Sequence, residues 1–222
     1  MSANVEIRPY ESSEREPSRP CCVIVTGMPG AGKSTVSDLA AQQVQRGVQV
    51  RGDTLSMMIR SGSVGFMGRP EAEALRQDEL CDRNMCTLAN NFVDFGFTVF
   101  LDAVLVDRAE LDFFVALMSP RPVRLVILAP GIDVCKQRNA GRAPEEQFEF
   151  DGYERLQSHM ANAFSDVGWW LDTSEQTARE TADLVVARLE HDAAVVEPMW
   201  NSWLRRLHAA RRDSRGRAET GA

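Results

Sequence analysis

The sequence predicts a three-layer α/β/α sandwich built on a parallel sheet, and three observations carry that expectation. Short apolar runs alternate with longer amphipathic stretches from Cys22 to Glu190. The runs are continuously apolar, as strands covered on both faces read. A glycine-rich turn joins the first run directly to the first amphipathic stretch.

In chain order, Cys22–Thr26 is the first expected strand, and Cys21 and Cys22 suit its buried start because a thiol packs as a small hydrophobe. A helix over Ser34–Arg46 follows, then a strand over Val48–Arg51. The next helix, Glu71–Phe95, is expected to turn Leu75, Met85, Leu88 and Phe92 to the core. Phe97–Leu101 is the third strand, and Asp107 reads as a plain N-cap for a helix over Arg108–Met118. Val123–Ala129 is the fourth strand. Two helices, Asp133–Asn139 and Tyr153–Phe164, lead to the last strand, Trp169–Leu171, and the helix Thr177–Glu190 closes the pattern.

Three regions are expected: a flexible lead-in over 1–20, a compact domain over 21–192, and a C-terminal extension over 193–222. From Ala193 onward there are six arginines against three acids, with Trp200, Trp203, Leu204 and Leu207 at helical spacing. An amphipathic helix followed by a basic tail is expected there, packing on the domain or pairing two copies into a homodimer. Ser61–Pro70, with Gly62, Gly65 and Gly68, is either a linker or a substrate loop.

The formal charge of −7 over 222 residues argues against a general nucleic-acid binder. The lead-in has no apolar segment of a signal peptide, and no stretch reaches the ~18 apolar residues of a membrane span. A cytoplasmic protein with five reduced cysteines is expected.

Gly27-Met28-Pro29-Gly30-Ala31-Gly32-Lys33-Ser34 fits G-x-x-x-x-G-K-S/T without deviation, between a strand and a helix. In that setting glycines let backbone N–H groups turn inward around phosphates, and the helix that follows points its positive end at them. Lys33 then reaches the β- and γ-phosphates, Ser34 ligates Mg²⁺, and Thr35 joins the nucleotide site. ATP and Mg²⁺ are the cofactors this implies.

Two aspartates stand at the carboxyl ends of expected strands, where open α/β sheets bind ligands. Asp53 follows Gly52 and suits a base that positions an acceptor hydroxyl; Asp102 suits the metal side or a second substrate contact. The roles are exchangeable at this level, and either aspartate could be a turn or cap residue. Arg138 and Arg142, four apart at a helix end, suit a lid over the transferring phosphoryl, or a solvated helix terminus. Arg76 and Arg83 share a helix face and either line an acceptor pocket or, more simply, form a solvated face balanced by Asp78, Glu79 and Asp82. Arg60 and Arg69 flank the glycine-rich loop and are undecided, and His159 reads as a surface or packing histidine.

On these residues the chain resembles the P-loop small-molecule kinases of the chloramphenicol phosphotransferase-like group. More distantly it is similar to gluconate, shikimate and adenylylsulfate kinases and to zeta-toxin-type kinases. The resemblance runs from Cys21 to Leu189 and rests on GMPGAGKST, Gly52-Asp53, Phe100-Leu101-Asp102 and the Arg138/Arg142 pair. Leu171-Asp172-Thr173-Ser174 with Glu180 also resembles the closing strand and helix, where the family places nucleotide-base contacts, here at Thr173. The resemblance implies strand order 2-3-1-4-5, ATP as donor, and Asp53 as the group that activates the acceptor hydroxyl. It also implies a small hydroxylated acceptor, with an antibiotic or other secondary metabolite preferred. The alternatives are a nucleoside or nucleotide kinase, with Phe66 or Phe95 stacking a base, a 5′-hydroxyl polynucleotide kinase using the basic tail, and a non-catalytic nucleotide switch.

Overall fold

A computed structural model describes residues 19–65, 68–144 and 147–196. Five parallel strands form one sheet in the order β2-β3-β1-β4-β5: β1 (Cys22–Gly27), β2 (Gly47–Arg51), β3 (Thr98–Asp102), β4 (Val123–Leu128) and β5 (Trp169–Leu171). This is the expected order, with helices on both faces. β1 and β3 are buried along their whole length, which explains their uninterrupted apolar reading. Phe100 of β3 lies among the fully buried side chains with Phe114 and Phe164 from the flanking layers. Each such burial contributes roughly 1.5–3 kcal/mol.

The helices are α1 (Lys33–Ala41), α2 (Gly52–Ser56), α3 (Glu71–Asp94), α4 (Arg108–Met118), α5 (Ile132–Ala140), α6 (Tyr153–Ala163) and α7 (Ala178–Asp192). α1 packs against α7 and α3 against α4. Asp107 caps α4, its carboxylate accepting from Ala109 N at 2.7 Å and Glu110 N at 3.0 Å. Thr177 and Glu180 form a reciprocal capping box on α7.

The structure corrects the expected elements in three places. α1 stops at Ala41 rather than Arg46, because the chain turns to enter β2 at Gly47. A short helix, α2, occupies the start of the expected link after β2 and carries Asp53. Leu75 is 63% exposed and does not face the core; the buried stripe of α3 runs through Ala74, Met85, Cys86, Ala89 and Val93.

The glycine-rich segment is tied to α3 on its described part. The Gln77 side chain accepts from Val64 N at 2.8 Å and donates to the Gly62 carbonyl at 2.8 Å. Beyond α7 the chain folds back onto β4: Val196 N donates to the Val123 carbonyl at 2.8 Å, and Val195 makes an antiparallel bridge to Arg124. The lead-in over 1–18 and the helix and basic tail expected around Trp200, Trp203, Leu204 and Leu207 lie outside the described residues. All five cysteines are unpaired thiols. Among the described residues no helix is long and apolar enough to cross a membrane.

Candidate active site

The turn between β1 and α1 builds the core of the site. Gly30 has φ +83°, and a Cβ there would stand 2.4 Å from the Cys135 carbonyl oxygen, so only glycine lets this loop lie against α5. Gly32, at φ +99°, is the N-cap of α1 and has no side chain to cap it. The first N–H groups of α1 therefore look outward with the positive end of the helix dipole behind them, a ready anion site. Lys33 is buried, and its ammonium donates to the carbonyls of Gly27 at 3.0 Å and Met28 at 3.1 Å, which folds the loop around it. Burial lowers the Lys33 pKa, while Asp102 and Asp53 act in the opposite direction. Met28 and Ala31 are buried in the loop wall, and Thr35 is exposed.

Asp102 ends β3 beside this loop. It is buried, and the Ser34 hydroxyl is among the groups that favour its charged form. Burial raises its pKa; the Ser34 hydrogen bond and the Lys33 and Arg51 charges lower it, and Asp53 raises it. A serine hydroxyl and a carboxylate at the mouth of a phosphate loop are an oxygen donor set suited to Mg²⁺, which takes one or two protein oxygens and completes its shell with phosphate and water. No group of three His, Cys, Asp or Glu side chains that could enclose a metal occurs among the described residues. Asp53, in the first turn of α2, is exposed and lies close enough to Lys33 and Asp102 to act on the charge of both.

Arg138 sits in the last turn of α5. Its guanidinium donates to the carbonyls of Ala31 at 3.0 Å, Thr173 at 2.7 Å and Gln176 at 3.3 Å. It thus joins the phosphate loop to the segment that follows β5. Thr173 is buried, and its hydroxyl has no hydrogen-bond partner among the described residues. Arg142 lies in the loop after α5, over the Phe148 ring at 5.3 Å, and near enough to Lys33 to disfavour its charge.

The structure does not draw the other sequence candidates into this group. Arg76 pairs with Glu73 at 3.7 Å and Arg83 with Glu79 at 2.7 Å, both along the surface of α3. Arg69 pairs with Glu71 at 4.0 Å. Arg60 and His159 are exposed. Phe95 closes α3 just before β3 begins, at the amino edge of the sheet and so away from the phosphate loop. Phe66 lies outside the described residues.

Sequence reasoning passed over Gln49, Arg51 and Thr26. Gln49 donates to the Ser34 carbonyl at 2.7 Å and to the Ser37 hydroxyl at 3.1 Å. Arg51 Nε lies 3.7 Å from Asp102, and its Nη2 lies 4.0 Å from Asp53. The Thr26 hydroxyl accepts from Leu105 N at 2.9 Å and fixes the loop after β3. The signal for the first two was available: polar residues two apart in a short strand share one face.

Comparison with known proteins follows the same outline. The AAA domain family model, AAA_33, matches residues 22–167, more than half of the chain. No curated protein matches the sequence. Among solved structures, a tunicamycin resistance protein of Deinococcus radiodurans has a TM-score of 0.58 at 14% identity, over 80% of this chain and 100% of that one. The APS kinase of Mycobacterium tuberculosis, in complex with AMPPNP and APS, has a TM-score of 0.57 at 19% identity, over 78% and 99%. A sugar kinase from Janibacter sp., unliganded, has a TM-score of 0.55 at 17% identity, over 77% and 95%. The shared feature is the P-loop kinase fold.

Proposed function

Because the chain belongs to the AAA domain family, we propose that it is an ATP-dependent O-phosphotransferase that moves the γ-phosphoryl group of ATP to a hydroxyl of a small molecule. The observation that carries this reading is that Lys33 and Ser34 open α1 after β1, Asp102 ends β3 and Asp53 opens α2 after β2, all at the carboxyl edge of the sheet, with Arg51 3.7 Å from Asp102 and 4.0 Å from Asp53. A phosphate loop alone serves many nucleotide-binding proteins. A second carboxylate beside it, exposed where an acceptor can enter, is what a transfer to an alcohol requires.

In this reading the N–H groups at the start of α1 and the Lys33 ammonium hold the β- and γ-phosphates. The Gly27 and Met28 carbonyls hold the same ammonium at 3.0 and 3.1 Å, so Lys33 exchanges part of this pairing for phosphate when nucleotide binds. Ser34 and Asp102 would hold Mg²⁺, which supplies charge neutralisation across the β- and γ-phosphate oxygens. Asp53 orients the acceptor hydroxyl and takes its proton as the new O–P bond forms and the bond to the ADP oxygen breaks. Thr173 lies on the base side, held by Arg138, and Arg142 approaches the phosphates from the loop after α5. The likeness of the fold to an APS kinase and a sugar kinase supports a small-molecule acceptor, and the tunicamycin resistance protein supports an antibiotic or other secondary metabolite.

The test is an acceptor screen with γ-labelled ATP and Mg²⁺ across antibiotics, sugars, nucleosides and short RNA ends, with Asp53→Asn as control. Label on one class that disappears in the variant supports the proposal and names the acceptor. Tight ATP binding with no labelled acceptor points to a nucleotide switch instead. Label on nucleosides or RNA ends moves the acceptor class while keeping the chemistry.

A further inference from the structure

Resting on the phosphotransferase reading, we infer that Arg51 is a positioning residue of the acceptor side, spanning Asp53 and Asp102 and fixing where the Asp53 carboxylate points. The register of the sheet places Arg51 directly opposite Asp102 on neighbouring strands. From there Nε lies 3.7 Å from Asp102 Oδ2, and Nη2 lies 4.0 Å from Asp53 Oδ2. A planar guanidinium can address two carboxylates from one position, which a point-charge ammonium does less well.

The strand makes the direction plain. Gln49 and Arg51 share a face of β2, and Gln49 already reaches α1 through the Ser34 carbonyl and the Ser37 hydroxyl. Arg51 continues that face one step towards the carboxyl edge, beside the phosphate loop. The charged groups that face it are Asp102 from β3 and Asp53 from α2, and Lys33 of α1 acts on the charge of Asp102 in turn.

The two carboxylates depend on Arg51 to different degrees. Asp102 is buried at the end of β3, and Lys33 and the Ser34 hydroxyl also favour its charge. The Asp53 side chain is 80% exposed, and its pairing with Arg51 is the one ion pair it makes among the described residues. Asp53 is therefore the group whose aim is lost without Arg51. Partly exposed pairs at these distances contribute little to folding, so the effect belongs to orientation, where a small misplacement of a reacting group slows transfer.

The experiment is a double-variant cycle on transfer to the acceptor found by the screen, using Arg51→Gln, Arg51→Lys, Asp53→Asn and the Arg51→Gln/Asp53→Asn pair. Arg51→Gln should lower kcat by roughly 10–100-fold with the KM for ATP changed less than about twofold, and Arg51→Lys should recover part of the loss. In the Asp53→Asn background, Arg51→Gln should cost less than about threefold, because the group it positions is already gone. Unfolding midpoints should stay within about 2 °C of one another. Unchanged kcat in Arg51→Gln, or full additivity with Asp53→Asn, overturns the proposal while leaving the kinase reading intact. Full transfer by Asp53→Asn, or no transfer by the parent protein, overturns the reading beneath it.

Discussion

Arg138 donates to the carbonyl of Thr173 at 2.7 Å and, through its other terminal nitrogen, to the carbonyl of Ala31 at 3.0 Å. One side chain on α5 thereby fastens the phosphate loop to the segment after β5. Replacing it with alanine removes charge-assisted bonds and leaves half-buried carbonyls short of a donor. Arg138→Ala should lose about 2–3 kcal/mol of stability and weaken ATP binding roughly 10–100-fold. Thermal unfolding with and without nucleotide checks both. A variant that binds ATP like the parent would show that the tie does not shape the nucleotide site.

The same residue shows how far the sequence carries. Arg138 was legible as a cation at a helix end near the loop, because spacing along a helix is local information. Its partners were not, since Ala31 and Thr173 meet it only after the sheet is assembled. The strands read correctly because burial on both faces leaves a continuous apolar run, and Phe100 or Ile24 has nowhere else to go. α2 was illegible: five residues opening on glycine are too short to show a helical period. Leu75 was misplaced by phase. Ten residues at about 100° each set it some 80° from Met85, so the two do not share a face. Arg51 was overlooked because it ends a strand read only for its apolar positions. The phosphate loop was legible because its chemistry needs consecutive residues, whereas the proposed acceptor side draws on β2, α2 and β3.

Two loop glycines separate steric from conformational demands. Gly30→Ala would put a Cβ 2.4 Å from the Cys135 carbonyl oxygen at φ +83°. Gly32→Ala meets only Arg138 Nη1 at 3.7 Å, so its cost is the strain of φ +99° alone. Gly32→Ala should cost about 1–2 kcal/mol, and Gly30→Ala clearly more, because backbone must move. Melting curves should rank them in that order, and ATP titration should show the larger loss for Gly30→Ala. The reverse ranking would mean the loop does not lie against α5 as described.

Asp107 tests the separation of cap from site. Its carboxylate accepts from two N–H groups at the start of α4 and meets none of Lys33, Ser34 or Asp102 in the interactions described. Asp107→Ala should therefore lower stability by about 1–2 kcal/mol, while Asp107→Asn or Asp107→Ser keeps most of it. Transfer per folded molecule should be unchanged in all three. A fall in kcat without a fall in melting temperature would bring Asp107 into the site.

Asp82 gives the clearest pH dependence. Burial first, then the charges of Asp78, Glu110 and Glu79, push its carboxyl up to about 7. In the unfolded chain an aspartate titrates near 3.9, so between about pH 4 and pH 7 the folded protein holds a proton that the unfolded chain releases. Stability from this group is thus complete below about pH 4 and is lost as the pH rises through 7. Asp82→Asn cannot ionise and escapes that loss. With allowance for solvent screening of a partly exposed group, the variant should exceed the parent by about 1 kcal/mol at pH 8, or roughly 2–4 °C in melting temperature. At pH 4 the two should melt together. Equal melting at pH 8 would mean that solvent reaches Asp82 freely enough to carry its charge, and that α3 and α4 pack less closely around it.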